Sequence, residues 1–282
     1  PPAGTGARMS EATTDPVIRR GEAPLVLSLP HVGTAIPEEI ETNLVSPWLA
    51  RKDADWWIDQ LYAFAGELDA TIVRAHWSRT VIDLNRDPTG VSLYPGQATT
   101  GLCPVETFDG EPLYRPGEEP GAEEIEARIG LYYRPYHVAL GEEISRLWNS
   151  HSRVVVYDCH SIRSAIPRLF AGKLPVFNLG TNSGASANPE LVERVSGVIA
   201  GSGRSHVVDG RFKGGYITRH YGQPEKGIHA LQMELACRGY IRESLGPVDE
   251  ANWPIAFDPA FAAPTRETLR AVLVACLAFA KG

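Results

Sequence analysis

Short apolar runs alternate with longer amphipathic segments along this chain. The runs are too short for buried helices and predict strands. We predict seven, at Pro24–Pro30, Thr71–Ala75, Thr80–Leu84, Arg153–Tyr157, Pro175–Leu179, Gly215–Thr218 and Ile228–Leu235.

The longest helical pattern runs from Glu123 to Trp148. Apolar residues recur there at helical spacing, at Ile125, Ile129, Tyr132, Tyr136, Leu140, Ile144 and Leu147. Further helices are predicted at Pro47–Ala65, Asn188–Ala200 and Thr265–Lys281. Asn85–Gly121 is rich in Pro and Gly and has no clear period, so it predicts a long loop of the functional kind.

The alternation of strands and helices predicts an α/β fold. We expect a mixed, mostly parallel central sheet with helices on both faces. The length of 282 residues suits a single domain, predicted over 9–282, because no internal repeat or boundary interrupts the pattern. Met9-Ser10 resembles a native start, so Pro1–Arg8 is predicted to be an expression remnant.

The composition limits the binding partners and the cellular compartment that we expect for this protein. The chain has 27 Lys and Arg against 34 Asp and Glu, a net charge of −7, and no concentrated basic face that would predict nucleic-acid binding. No apolar run approaches the ~20 residues that span a bilayer, and the first residues lack the apolar core of a secretory signal. The four cysteines are scattered, which predicts a reduced, cytoplasmic protein.

Several chemically active side chains fall at or near predicted strand ends. His31 follows the first strand, Asn85 and Arg86 follow Thr80–Leu84, and Asp158 and His160 follow Arg153–Tyr157. Ligands of open α/β sheets bind at the carboxyl ends of the strands. We therefore expect these residues to gather at one edge of the sheet.

His31 and His160 are candidate ligands of a catalytic zinc ion. Such an ion takes three protein ligands, from His and carboxylates, and keeps one position for water. Asp53 and Asp55 are the nearest candidates for the third ligand. Each residue also has an ordinary interpretation, as a hydrogen-bonded structural histidine or as a carboxylate at a helix N-terminus.

Glu234 lies within the apolar strand Ile228–Leu235 and is a candidate general base. Burial of a carboxylate is costly and raises its pKa, which suits proton transfer near neutral pH. The alternative is a strand whose other face is solvated, with Gln232 and Glu234 both pointing outward.

Two arginine-containing segments are candidates for binding anions. Arg79 and Arg86 flank the predicted strand Thr80–Leu84, and a guanidinium is a rigid fork for a carboxylate. Arg219 and His220 lie in Gly214–Gly222, whose composition suits a loop closing over a small anion. The alternatives are a structural pair of Arg86 with Asp83 or Asp87, and an ordinary tight turn.

Known motifs for other chemistries are missing. The sequence contains no GxGxxG, P-loop or GxSxG motif. Their absence argues against dinucleotide binding, nucleotide triphosphate hydrolysis and serine-hydrolase chemistry.

At these same residues the sequence resembles the N-formylglutamate amidohydrolase family. The resemblance covers Pro24 to about Ile241 and rests on ordered motifs that are specific only in combination. They are Leu29–Gly33 with Pro37, Asp53–Trp56, Arg79–Pro88, Asp158–Ser161, Asn178–Gly184, Gly214–Gly222 and Gln232–Glu234. The family is distantly similar to zinc carboxypeptidases and aspartoacylase, and the Asp-Leu-Asn-Arg run is similar to that of aspartoacylase.

The resemblance implies a metal site and a general base. His31, Asp55 and His160 would bind one Zn²⁺ or another divalent metal, and Glu234 would match the carboxypeptidase-type base. The carboxypeptidase pattern places its acidic ligand a few residues after the first histidine, where this chain has Thr34. Asp53 and Glu38 therefore stay open as alternatives to Asp55.

The resemblance also implies substrate contacts and an activity. Arg79 would polarise the carbonyl, Asn85 and Arg86 would hold one substrate carboxylate, and Arg219 with His220 would hold a second. The implied reaction is hydrolysis of a small dicarboxylate, N-formyl-L-glutamate, to formate and L-glutamate in histidine degradation. The alternatives are another N-acyl amino acid or peptide as substrate, and a non-catalytic module that binds a small acid.

Overall fold

The structure, a computed structural model, describes residues 16–93, 95, 96, 99–244 and 246–282. The predicted expression remnant Pro1–Arg8 lies outside the described residues. The strands are β1 Val17–Arg19, β2 Leu25–Leu29, β3 Thr71–Arg74, β4 Val154–Ile162, β5 Phe177–Gly180, β6 His206–Val208 and β7 Ile228–Ala236. The α-helices are α1 Glu38–Glu41, α2 Ile58–Leu61, α3 Ala122–Arg128, α4 Arg134–Trp148, α5 Pro189–Gly201, α6 Tyr216–Tyr221 and α7 Pro259–Lys281.

The seven strands form one mixed sheet in the order β1-β3-β2-β4-β7-β5-β6. The pairs β3–β2, β2–β4, β4–β7 and β5–β6 are parallel, whereas β1–β3 and β7–β5 are antiparallel. The mixed, mostly parallel sheet predicted from the sequence is therefore confirmed.

Helices pack on both faces of this sheet. α5 and α7 cover one face, through residues such as Val195 and Leu273, and join Tyr157 and Met233 in one core cluster. α4 covers the other face, where Leu140 and its neighbours form a second cluster. The α/β sandwich buries the central strands on both sides, which explains their near-continuous apolar sequences.

The long predicted helix is confirmed, with one local irregularity. α3 and α4 are joined by a π-helical turn at Ile129–Tyr133, so the helical path runs from Ala122 to Trp148. Buried Tyr136, Leu140, Ile144 and Leu147 repeat at intervals of three or four residues and form its inner face. The predicted helices at α5 and α7 are also confirmed, although α7 begins at Pro259 rather than Thr265.

Two predicted strands are wrong. Thr80–Leu84 forms turns, in which Asp83 N–H donates to the carbonyl of Leu102 at 2.7 Å. Its apolar side chains are buried in the second cluster, the one that contains Leu140, but they form no strand pairs. The apolar pattern therefore reflects burial and not a strand. Gly215–Thr218 is instead the start of α6, because the backbone turns helical immediately after Gly215.

The predicted helix Pro47–Ala65 is broken into shorter pieces. A 3₁₀ turn spans Leu49–Arg51, α2 follows at Ile58–Leu61, and a second 3₁₀ segment spans Ala63–Leu68. Trp57, immediately before α2, has a left-handed φ of 67°, which interrupts any continuous helix. Because the helix is interrupted, Asp53 and Asp55 lie in a turn rather than within a continuous helix.

Two further predictions concern the state of the cysteines and the lack of a membrane-spanning segment. Cys103, Cys159, Cys237 and Cys276 are all buried, and all four are free thiols. Within the described residues, every helix is too short or too polar to cross a membrane.

Candidate active site

A cleft of about 590 Å³, part of it open to solvent, lies where β2, β4 and β7 approach their carboxyl ends. Charged and amide side chains line its floor, and apolar side chains line one wall. The lining residues are His31, Asp55, Arg79, Asn85, Arg86, Thr99, Thr100, Phe108, His160, Ser161, Ile162, Leu169, Arg211, Phe212, Gly215, Gln232 and Glu234.

Strand alternation brings the polar residues of β4 and β7 to this cleft. β4 does not end at Tyr157 as predicted but continues to Ile162, so Asp158 and His160 lie within it. In the parallel register Asp158 pairs with Gln232 and His160 with Glu234. Residues two apart on a strand point to the same face. These four side chains therefore share one face.

His31, Asp55 and His160 form a buried cluster that could bind a metal ion. One candidate ligand atom from each residue lies within 4.8 Å of the others. His31 follows β2, and Asp55 lies in the turn before α2, where its N–H donates to the His31 carbonyl at 2.9 Å. The N–H of Ser161 donates to Asp55 Oδ2 at 3.2 Å and helps to orient the carboxylate.

Each histidine of the cluster is held through its outer nitrogen by a buried carboxylate. Nε2 of His31 lies 2.7 Å from Asp83 Oδ1, and Nε2 of His160 lies 2.8 Å from Asp158 Oδ2. The two Nδ1 atoms then face Asp55 Oδ2, at 3.8 Å from His31 and 3.1 Å from His160. Metal-binding histidines are oriented in this way, by a carboxylate on the nitrogen that does not bind the metal.

The charge balance of the site suits a cation. Among the described residues that face the cluster, Asp55, Asp83, Asp158 and Glu234 are buried carboxylates, and Arg79 is a buried cation. Buried carboxylates are stable only when they are paired, protonated or bound to a metal. Two imidazoles and one carboxylate are one of the donor sets that catalytic zinc ions take.

The two histidines differ in proton affinity. Burial, aided by the Arg79 guanidinium, lowers the pKa of His31. Burial also acts to lower the pKa of His160, but Asp158 and Asp55 outweigh it and raise that pKa well above its usual range. The His160 ring thus lies between two carboxylates, Asp158 at Nε2 and Asp55 at Nδ1, which favour a proton on it. A metal that binds there must displace that proton.

Glu234 is buried beside the cluster and lines the cleft. Burial, with a further contribution from Asp55, raises the pKa of Glu234 to about 8, against an opposing effect of His160. The amide of Gln232 lies 3.5 Å from Glu234 Oε2. The alternative of a solvated face carrying Gln232 and Glu234 is wrong, because both side chains are buried.

Arg79 is fixed next to the metal-ligand cluster. Its NH2 donates to Asp83 Oδ2 at 2.7 Å, and its NH1 lies 3.3 Å from His31 Nδ1. The Phe108 ring covers it, with the guanidinium carbon 4.8 Å from the ring centroid. Burial opposes the charge, but Asp83 and Asp55 raise the pKa of Arg79 further above its usual value. Arg79 is thus a permanent, preorganised cation at the cleft floor.

Asn85 links the loop after Arg79 to the sheet. Its Nδ2 lies 3.1 Å from Asp158 Oδ2 and 3.0 Å from His160 Nε2, and its Oδ1 accepts the N–H of Ile217 at 2.8 Å. Gly215 packs so closely against this amide that an added Cβ would lie 2.4 Å from Nδ2. The glycine is required there by the close approach.

Arg86 lies at the rim of the cleft. Its Nε donates to the Thr100 carbonyl at 3.1 Å, its NH2 lies 3.3 Å from Thr100 Oγ1, and its Nε lies 3.6 Å from Asp83 Oδ2. Asp83 is thus shared by Arg79 and Arg86. The predicted pairing of Arg86 with Asp83 exists and does not remove Arg86 from the cleft.

Arg219 and His220 are not brought to the cleft lining, as far as the described residues show. Both lie on α6, which replaces the loop expected over Gly214–Gly222. Nε of Arg219 donates to the Gly214 carbonyl at 2.9 Å, and the exposed ring of His220 stacks on Tyr216.

The other two candidates for the acidic ligand lie apart from the cluster. Oδ2 of Asp53 accepts the N–H of Phe108 at 2.7 Å, and its Oδ1 lies 3.4 Å from the Arg163 guanidinium. Glu38 is exposed on α1. Of the three carboxylates considered, Asp55 is the one that belongs to the metal-ligand cluster.

Several residues of the site were not assigned a role from the sequence. Asp158 is two residues before His160 in a strand, and this same-face spacing is a signal that could have identified it. Asp83 lies in the Asp-Leu-Asn-Arg run, but nothing in that run indicates its contact with His31. Arg211 gave no signal, because its approach to the cleft depends on a loop without periodicity.

Comparisons with known proteins identify the family of this chain. A family model described as N-formylglutamate amidohydrolase matches residues 23–241. A protein of Pseudomonas aeruginosa named N-formylglutamate deformylase is 46% identical over 264 residues, covering 93% of this chain and 96% of the relative. A Pseudomonas putida protein of the same name is 46% identical over 261 residues, covering 92% and 94%.

A solved structure shows the same architecture. The crystal structure of N-formylglutamate amidohydrolase from Ralstonia eutropha JMP134 has a TM-score of 0.75 to this chain at 26% identity. The match covers 93% of this chain and 97% of that one. The matched range contains His31, Asp55, His160 and Glu234. The chain belongs to the N-formylglutamate amidohydrolase family.

Proposed function

We propose that this protein is a zinc-dependent enzyme that hydrolyses N-formyl-L-glutamate to formate and L-glutamate. The observation that carries the proposal is the cluster of His31, Asp55 and His160 beside buried Glu234 in one cleft. The membership of the chain in the N-formylglutamate amidohydrolase family supports the choice of substrate.

His31, Asp55 and His160 would hold the zinc ion, with Asp83 and Asp158 fixing the two imidazoles. When bound, zinc lowers the pKa of a water molecule toward ~7 and polarises the formyl oxygen. Both Nδ1 atoms face Asp55 in the folded chain, which reduces the reorganisation that binding a metal requires.

Glu234 acts as general base and then as general acid. Its raised pKa, about 8, gives the carboxylate a proton affinity suited to accepting a proton from the attacking water. The same carboxyl group then donates that proton to the departing amine of glutamate. Its position on the same face of the sheet as His160 places it beside the cluster.

Arg79 stabilises the negative charge that develops on the formyl oxygen. The guanidinium is held by Asp83 and covered by Phe108, so it is oriented in advance and shielded from water. Preorganised charges of this kind are among the strongest contributions to catalysis. Arg86, positioned through the chain segment that Asn85 anchors, binds a substrate carboxylate. The proposal gives Arg219 and His220 no substrate contact.

We also place this reaction in the cytoplasm. The four free, buried cysteines support a reducing compartment, because none of them forms a disulfide in the folded chain.

A substrate panel tests the proposed reaction. Metal-replete protein is incubated with N-formyl-L-glutamate, N-acetyl-L-glutamate and N-formylglycine, and formate or acetate is measured together with the released amino acid. We expect equal amounts of formate and glutamate, and the highest kcat/KM for N-formyl-L-glutamate. Absence of formate would refute the proposal, and a higher kcat/KM for another substrate would replace N-formyl-L-glutamate as the natural one.

A further inference from the structure

A third arginine of the cleft lies on the loop that follows β6. Arg211 is three residues beyond Val208, the last residue of β6, and lines the cleft with Arg79 and Arg86. These three guanidiniums are the cations among the described lining residues. Asp55 and Glu234, the carboxylates of that lining, both lie at the metal-ligand cluster.

The side chain of Arg211 is positioned by its surroundings. Its Nε donates to the carbonyl of Leu169 at 3.1 Å, and its guanidinium carbon lies 5.2 Å from the centroid of the Phe212 ring. Phe212 packs edge to face on Phe170 at 6.3 Å. Leu169 and Phe212 both line the cleft, so Arg211 presents its charge beside an apolar wall. Such a wall suits the methylene groups of an acidic side chain.

The other two arginines of the cleft have other roles in the proposed function. Arg79 is bonded to Asp83 and lies against His31, at the position where the reacting carbonyl must be polarised. Arg86 shares Asp83 and is anchored by Thr100, further along the same long loop. N-Formyl-L-glutamate carries two carboxylates, and each one needs a cation when it leaves water. With the carbonyl assigned to Arg79 and one carboxylate to Arg86, Arg211 is the further guanidinium of the described cleft lining that can face the second carboxylate.

We propose that Arg211 binds the side-chain carboxylate of the substrate and determines the preference for an acidic side chain, while Arg86 binds the α-carboxylate. This inference rests on the proposed function and deepens it. It gives Arg211 the role that the sequence had suggested for Arg219, whose Nε is bonded to the Gly214 carbonyl.

The test compares N-formyl-L-glutamate with N-formyl-L-glutamine, which has nearly the same shape but a neutral side chain. Formate release gives kcat/KM for both substrates in the wild type and in Arg211→Gln. A hydrogen bond between charged groups is worth roughly a 10- to 100-fold change. We expect Arg211→Gln to lower kcat/KM for formylglutamate by about that factor, and to change it less than about threefold for formylglutamine.

Two further variants make the result specific. Lys213→Gln removes a positive charge from an exposed position on the same loop and should leave the ratio of the two kcat/KM values unchanged. Arg211→Lys keeps the charge without the planar fork and should retain part of the preference. It also serves as the test variant if Arg211→Gln does not fold.

The possible outcomes separate the inference from the proposed function. A wild type that releases no formate from either substrate refutes the proposed function. An active wild type whose preference survives in both Arg211 variants refutes this inference alone. Loss of the preference in Arg219→Gln, with Arg211→Gln behaving as wild type, would also overturn it and restore the assignment made from the sequence.

Discussion

At the scale of single residues, the site is defined by which atom of each side chain faces which neighbour. His31 and His160 could be proposed as metal ligands because both lie near strand ends, whereas Asp55 was preferred to Asp53 and Glu38 only through the resemblance to a family. The orientation of the imidazoles could not be predicted, because it depends on Asp83 and Asp158 reaching Nε2 across turns and strand register. The same holds for Arg211, whose loop has no pattern that points to the cleft.

Replacing Glu234 by Gln removes the group proposed to move the proton. We expect kcat to fall by roughly 10² or more while zinc remains bound, because the amide is similar in shape and cannot accept the proton. Steady-state kinetics with metal analysis of the same sample checks this. Glu225→Gln, at an exposed position, is the control and should keep wild-type kcat. Normal turnover in Glu234→Gln would remove this residue from the mechanism.

Asp83 is predicted to control metal affinity through His31. Asp83→Asn should weaken zinc binding by roughly 10- to 100-fold, because the carboxylate that orients the ring and raises its basicity is lost. Competition with a zinc chelator measures the affinity. The control is Asp87→Asn, which removes a carboxylate from the same loop without contact to either histidine. An unchanged zinc affinity in Asp83→Asn would contradict the assignment.

At the scale of elements, continuous apolar runs and long amphipathic periods were sufficient to predict most of the sheet and its large helices. β2, β4, β7 and α4 all follow from pattern alone. Failures occurred where a short apolar run is buried without being a strand, as in Thr80–Leu84, since burial and not strand pairing sets such a pattern. The length of β4 was underestimated because the site residues Asp158 and His160 interrupt its apolar sequence.

His137 on α4 is predicted to make folding stability depend on pH. Burial lowers its pKa to about 4, against 6.5 for the exposed group, while Nε2 bonds the Leu84 carbonyl at 2.8 Å. The unfolded chain therefore binds a proton more readily. The contribution of neutral His137 to stability is complete above pH 6.5 and is lost as the pH falls toward 4.

The variant His137→Gln isolates this effect. Denaturant unfolding across pH 4–7 should show a slope smaller by up to about 1.4 kcal/mol per pH unit in the variant than in the wild type. The Gln amide can still donate to the Leu84 carbonyl, so the fold should persist. Identical pH slopes in the two proteins would show that His137 is not a buried neutral group.

At the scale of the whole molecule, the proposed function requires an acidic protein to bind an acidic substrate, which local placement of its cations allows. The net charge is −7, yet Arg79, Arg86 and Arg211 meet in one cleft. The net charge of the protein therefore does not indicate the charge of its ligand. The charge of the cleft is set by the distant loops that meet at this edge of the sheet. The composition could not predict that these three arginines meet in one cleft.

The buried thiols report on the integrity of the whole fold. Burial raises the pKa of Cys103 to about 11 and that of Cys276 to about 12, and Cys159 and Cys237 are also buried. A thiol reagent such as DTNB should therefore react slowly with the native protein and with all four cysteines after unfolding in denaturant. Rapid native labelling, followed by absorbance, would contradict the packing described here.

The most direct measurement for the central claim is formate release from N-formyl-L-glutamate in three states of the same sample. The protein is assayed as purified, after a chelator has removed its metal, and after zinc is restored. We expect activity to fall to background on metal removal and to return with zinc, because His31, Asp55 and His160 are proposed to hold the ion that the reaction requires. Full activity in protein shown by elemental analysis to be metal-free would contradict it.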